Sequence, residues 1–208
     1  MVRIEDLCAS LTHHENGLLE VVGPMEENLL AIRFACDDWL GSGVRRRFLL
    51  SCLGTVERQL DAGSSEEIRW VDQHPVLWTF NSPHGYLHLG SRPADAFAAV
   101  GRLYEAHEQL FQGWKALREF LNPGFTSNLH ELLEGGRGML AQGPCPVLER
   151  YRDALQPLME TYLNDAPHDR RYDAQHPKRA LIFDDCYVVC DSVDVKELLD
   201  AGSGAVQP

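Results

Sequence analysis

The sequence contains no run of about 18 apolar residues, so nothing in it reads as a membrane-spanning helix. Its opening, Met1-Val-Arg-Ile-Glu-Asp-Leu-Cys8, places two acids where a signal peptide needs an apolar core; no export or mitochondrial signal is expected. Positive charge is also scarce. Nineteen Lys and Arg stand against 31 Asp and Glu, a net charge of −12, which disfavours general binding to nucleic acid phosphates. Neither Cys-x-x-Cys nor His-Glu-x-x-His occurs, so the two commonest metal spacings are missing. Gly135-Gly-Arg-Gly138 lacks the Lys-Ser/Thr ending of a phosphate loop and the strand-glycine-helix order of a dinucleotide site.

What remains is an ordinary globular composition in 208 residues, long enough for one core. The six cysteines (Cys8, Cys36, Cys52, Cys145, Cys186, Cys190) are expected as buried reduced thiols in a cytoplasmic protein.

Period-two alternation dominates before residue 92. Leu18–Val22 reads as a strand, Gly23–Glu27 as a turn, and Leu30, Ile32, Phe34 and Cys36 as one face of a second strand. Phe48–Leu60 fits a strand or a helix; Cys52, Thr55, Val56 and the interrupting Gly54 favour strand. Ile68–Asp72 and Val76–Phe80 read as strands. The latter forms a hairpin through Asn81–Gly85 with Tyr86–Leu89, and Pro75 marks a strand start.

Beyond residue 92 a helical period takes over. Ser91 is the expected cap of a long helix whose stripe runs Phe97, Val100, Leu103, Tyr104, His107, Leu110, Phe111, Trp114, Leu117, Leu121. Asn128 with Glu131 starts a short helix. Pro144 and Pro146 introduce another, carrying Leu148, Tyr151, Leu155, Leu158 and Tyr162 and kinked at Pro157. Residues 164–179 read as a loop and Leu181–Cys190 as a last strand. These elements predict an α+β fold: an antiparallel sheet from the N-terminal half, joined by the C-terminal strand and packed against a helical C-terminal half. We expect one domain over 1–200, with a strand-rich layer at 1–91, a helical layer at 92–165, a returning strand at 180–191, and a flexible tail at 201–208.

Nine histidines raise the question of metal binding, but the spacings answer poorly. His84 and His88 on a strand would stand about 13 Å apart, too far for one ion. Cys186 and Cys190 meet the same objection. No metal and no cofactor are expected.

His107 falls on the apolar stripe. It reads as a core-edge histidine bonded to backbone, or as a general base in a pocket that His74 or His88 could share. Cys145, at a helix start, reads as a small packed residue, or as a nucleophile made acidic by the helix end. Asp184 and Asp185 interrupt the last strand, where charges protect an edge or a bulge turns them outward. Arg45-Arg46-Arg47 is the tightest basic run.

Residues 1–41 hold eight acids against two bases. The first functional reading is therefore a non-enzymatic, cytoplasmic interaction protein, in the manner of an inhibitor or immunity protein. It would meet a basic protein partner through Glu26, Glu27, Asp37, Asp38 and Trp39. The alternative is a hydrolase or acyl-transfer enzyme using His107 and Cys145 between sheet and helices. A third is a small-molecule binder using Trp70, Trp78, Tyr86 and Trp114.

Overall fold

The computed structural model describes residues 3–11, 14–26, 28–38, 44–122, 124, 128–166 and 172–198, with backbone alone at 14, 15, 24–26 and 38. In chain order the elements are α1 (Ile4–Ser10), β1 (His14–Glu26), β2 (Leu29–Asp38), β3 (Arg45–Leu53), β4 (Glu57–Gln59), β5 (Gly63–Ser65), β6 (Arg69–Val71), α2 (Trp78–Asn81), β7 (His84–Leu89), α3 (Ala96–Phe111), α4 (Leu129–Gly135), β8 (Gly138–Pro144), α5 (Cys145–Leu155), β9 (Thr161–Asp165), β10 (Arg179–Phe183), β11 (Cys186–Cys190) and β12 (Ser192–Glu197). The fold is α+β, its sheets are antiparallel, and its helices lie mostly in the C-terminal half.

The strands form three sheets, and the chain divides into two compact units: residues 1–73 with 178–208, and residues 74–177. The change of pattern near residue 92 does not mark that division, because β7 belongs with the helices.

The strand-rich unit contains a five-stranded sheet, β12-β3-β2-β1-β5, and a four-stranded sheet, β4-β11-β10-β6. Alternation decides which side chains meet between them. Ile32 and Phe34 from β2 and Phe48 and Leu50 from β3 share one core with Leu181 and Phe183 from β10 and Val188 from β11. The rings of Phe34 and Phe183 lie 5.7 Å apart in this core. Cys36, Cys52 and Cys190 are fully buried there as free thiols.

One two-stranded ribbon passes through both sheets. β3 pairs with β12 in the first sheet, and their continuations β4 and β11 pair in the second. The register shifts by one residue at the bend, where Asp191 N–H donates to Leu53 O (2.9 Å) and Gly54 takes φ +64°. That left-handed conformation, and the Asp191 carboxylate occupying the space of a β-carbon, explain the glycine.

The second unit is a three-stranded sheet, β8-β7-β9, with α3, α4 and α5 contributing to one core. α3 buries Ala99, Leu103, His107 and Phe111, a strict spacing of four, against Leu87, Leu140, Val147, Leu148 and Tyr151. Burying a Leu or Phe of this kind is worth roughly 1.5–3 kcal/mol each.

Several expectations need correction. Val76–Phe80 is no strand: Pro75–Leu77 is a 3-10 turn running into α2, with Pro75 at its first position and the His74 ring accepting from Val76 N–H. The long helix stops at Phe111, where Gln112 adopts φ 48°, so Trp114, Leu117 and Leu121 lie beyond it. It starts at Ala96 and its cap is Asp95, which accepts from Ala98 N–H at 3.0 Å, while the Ser91 hydroxyl accepts from Glu160 N–H. Phe97 and Tyr104 are 75% and 53% exposed, off the buried stripe. β1 runs through Gly23 and Pro24 to Glu26. α5 ends at Leu155 instead of kinking at Pro157, so Tyr162, expected on its stripe, sits on β9, which runs on into the first two residues of the expected loop. Leu181–Cys190 is a hairpin, turned at Asp184 with φ 50°, and β12 follows it. The expected tail, 201–208, lies outside the described residues.

Candidate functional site

His107 is fully enclosed. Its Nε2 lies 2.7 Å from Lys115 O and its Nδ1 lies 2.7 Å from the Tyr151 hydroxyl. A carbonyl can only accept, which assigns the ring proton to Nε2 and leaves Nδ1 to accept from Tyr151 O–H. Phe111 and Phe120 pack on the ring at 4.8 and 5.9 Å. Burial pushes the Tyr151 phenol far above its ordinary value, so that hydroxyl stays a donor. With both nitrogens committed, this histidine has no lone pair to offer a substrate.

Cys145 opens α5, with its N–H donating to Pro83 O at 2.8 Å. The helix end does not make it acidic. Burial, then the carboxylates of Asp165 and Glu149, push its thiol up. Neither partner of His107 is Cys145, so the catalytic pair expected from the sequence is not assembled. His74 packs edge-on to Trp114 at 4.7 Å, and His88 stands on the outward side of β7. Among the described residues, no group of three or more His, Cys, Asp or Glu side chains is arranged to hold a metal ion.

The N-terminal acids are dispersed by the β1–β2 hairpin. Glu26 pairs with Leu29 at one end and Asp37 with Glu15 at the other. Eight residues of β2 separate these ends, roughly 26 Å. Asp37 is also neutralised in place: Asn16 donates to it at 2.7 Å and Arg45 at 3.1 Å, and these contacts hold its carboxyl below the usual range. Glu27 and Trp39, and the side chains of Glu26 and Asp38, lie outside the described residues. The same sheet carries a depression of about 450 Å³ whose lining includes Leu18, Glu20, Arg33, Ala35, Arg45 and Arg47. Arg33 meets Glu20 at 3.4 Å on this surface. Here the basic run and the acids answer one another across strands.

Acidic residues converge elsewhere in the same unit, from two segments remote in sequence. Asp184 accepts from Glu66 N–H at 2.9 Å. Asp61 N–H lies 3.5 Å from Cys186 Sγ, which lies 3.8 Å from Asp185 Oδ1. Asp61, Glu66 and Asp185 are exposed around the β10–β11 turn. Asp184 and Asp185 thus border a turn, where water reaches them, instead of interrupting a strand.

The four aromatics considered for a small ligand are scattered. Trp70 lies in the strand-rich unit under Arg179 (5.8 Å), Trp78 packs on Phe111 (5.5 Å), Trp114 holds His74, and Tyr86 points outward from β7.

One surface was hidden from sequence reasoning, because β9 straddles the end of a segment that reads as helix and the start of one that reads as loop. On the outward face of the three-stranded sheet, Tyr86 stands opposite Asn164 and Gln142, and His88 opposite Tyr162 and Met139. Tyr86 and Tyr162 remain 38% and 55% exposed. Alternation in Tyr162-Leu-Asn164 was the available signal, too short to register against the helical spacing that claims Tyr162 and the polar residues after it. No known protein family, curated protein or solved structure matches the chain.

Proposed function

We propose that the chain is a non-enzymatic interaction protein that binds a basic protein partner through its strand-rich unit. The observation that carries this reading is where the charge lies. The strand-rich unit holds 19 Asp and Glu against ten Lys and Arg; residues 74–177 hold twelve against nine. Convergence of Asp61, Glu66 and Asp185 at the β10–β11 turn supports it, since clustered charge speeds encounter with an opposite surface. The engagement of His107 and the raised thiol of Cys145 weigh against the hydrolytic reading. Six free cysteines favour a reducing, cytoplasmic setting.

The test is cross-linked capture in the native host with wild-type chain and with Asp61→Lys/Asp185→Lys, followed by reconstitution with the purified partner. We expect a protein of high isoelectric point on the wild type, released by raising salt and lost from the variant. Equal capture by both, or turnover of ester or amide substrates by the purified chain, overturns the reading.

A further inference from the structure

The outward face of β8-β7-β9 combines features that no role in folding requires. Its three strands contain no Lys and no Arg. Two tyrosines, large and costly to leave in water, stay exposed on it. One of them is held in a fixed position. The Tyr162 ring rests over Gly90, where a β-carbon would come within 2.2 Å of Cε2, and its hydroxyl donates to Glu160 at 3.3 Å. Glu160 is itself pinned: its carbonyl accepts from Gly90 N–H at 2.8 Å, and its N–H donates to Ser91 Oγ at 2.8 Å. An exposed aromatic ring already ordered in the free protein loses little freedom on binding. The faces of such rings are electron-rich and attract cations, and Glu160 supplies a formal negative charge beside them.

We propose that this face docks lysine or arginine side chains of the basic partner, with Tyr86 and Tyr162 as cation–π platforms and Glu160 as counter-charge. The proposal rests on the reading above for the nature of the partner, but it places contacts on the helical unit's own sheet. Tyr86 lies two residues from His88, which pairs directly with Tyr162, so the two rings flank one cross-strand position. Neighbouring side chains of an extended basic segment can therefore reach both.

The experiment uses the full chain and a fluorescent hexa-arginine peptide, read by anisotropy at fixed low salt. Tyr86→Ala and Tyr162→Ala should each weaken binding about two- to fivefold, the effect expected of an exposed cation–π contact. Tyr162→Phe keeps the ring and should keep most of the affinity. Gly90→Ala displaces the ring without removing it and should resemble Tyr162→Ala. An unchanged thermal midpoint confirms that folding is intact. Peptide binding indifferent to all four substitutions overturns this docking face. If it is instead abolished by Asp61→Lys/Asp185→Lys, the strand-rich reading survives alone. Equal, tyrosine-dependent binding of an uncharged hexasaccharide overturns the cationic assignment. A concentration-dependent dimer lost in Tyr162→Ala does the same, by making a second copy the occupant.

Discussion

Replacing Tyr151 by Phe removes one oxygen from the centre of the helical unit. Tyr151 and His107 are both buried, and the hydroxyl is the partner of His107 Nδ1 at 2.7 Å. The mutant keeps the ring in the core it shares with Leu103 and Leu148 but leaves an imidazole nitrogen without a donor. An unsatisfied buried acceptor costs about 1–3 kcal/mol, against less than 1.5 kcal/mol for an ordinary exposed hydrogen bond. With a urea dependence of about 2 kcal/mol per molar, a 2 kcal/mol loss lowers the midpoint by about 1 M. Trp78 and Trp114 belong to this unit and report its unfolding by fluorescence. His107→Ala should cost more, about 2–5 kcal/mol, because it opens a cavity and orphans both the phenol and Lys115 O. The double mutant should cost less than the two single losses added together, since each breaks the same bond. A Tyr151→Phe midpoint within 0.2 M of wild type, or strict additivity, would refute the tautomer assignment and the structural role given to His107.

Other consequences follow from the same geometry. Gly54→Ala should destabilise the strand-rich unit by about 1–2 kcal/mol through its left-handed backbone, and further by swinging Asp191 away from Lys178, 2.6 Å distant. Adding Asp191→Ala should relieve only the overlap, and full recovery in the double mutant would show that backbone strain is absent. Asp95→Ala should cost about 1 kcal/mol and raise amide exchange in the first turn of α3, while Ser91→Ala leaves that turn unchanged. Iodoacetamide at pH 7 should label Cys145 more slowly than glutathione; faster labelling would revive the nucleophile. Burial pushes the Cys8 thiol up to about 11, above its ordinary 9.0, because folding favours its neutral form. Its contribution is whole below pH 9 and lost as pH rises towards 11, so the urea midpoint should fall across that interval less in Cys8→Ala than in wild type. Equal falls would remove Cys8 from the account.

Local chemistry along the chain was enough to determine much of this protein. Alternation in Leu30–Cys36 and Phe48–Cys52 specified strands and their buried faces. Asn128 and Glu131 marked a helix start, Pro144 and Pro146 another, and the class α+β followed. These signals act within a few residues, where side-chain periodicity and capping groups need no distant partner. Decisions resting on partners remote in sequence were not legible. The Ser91 hydroxyl binds Glu160 N–H, 69 residues on, while Asp95 caps the helix, and Thr161–Asp165 is a strand by pairing with β7. The stripe from Phe97 to Leu121 was cut at Gln112, whose left-handed backbone ends the helix, and beyond it Lys115 O meets the His107 ring. For the candidate sites the division is the same. Composition counted the acids, but strand register alone parted Glu26 from Asp37, joined Asp61 to Asp185, and set Tyr86 and Tyr162 on one face, because register fixes which distant residues share a surface.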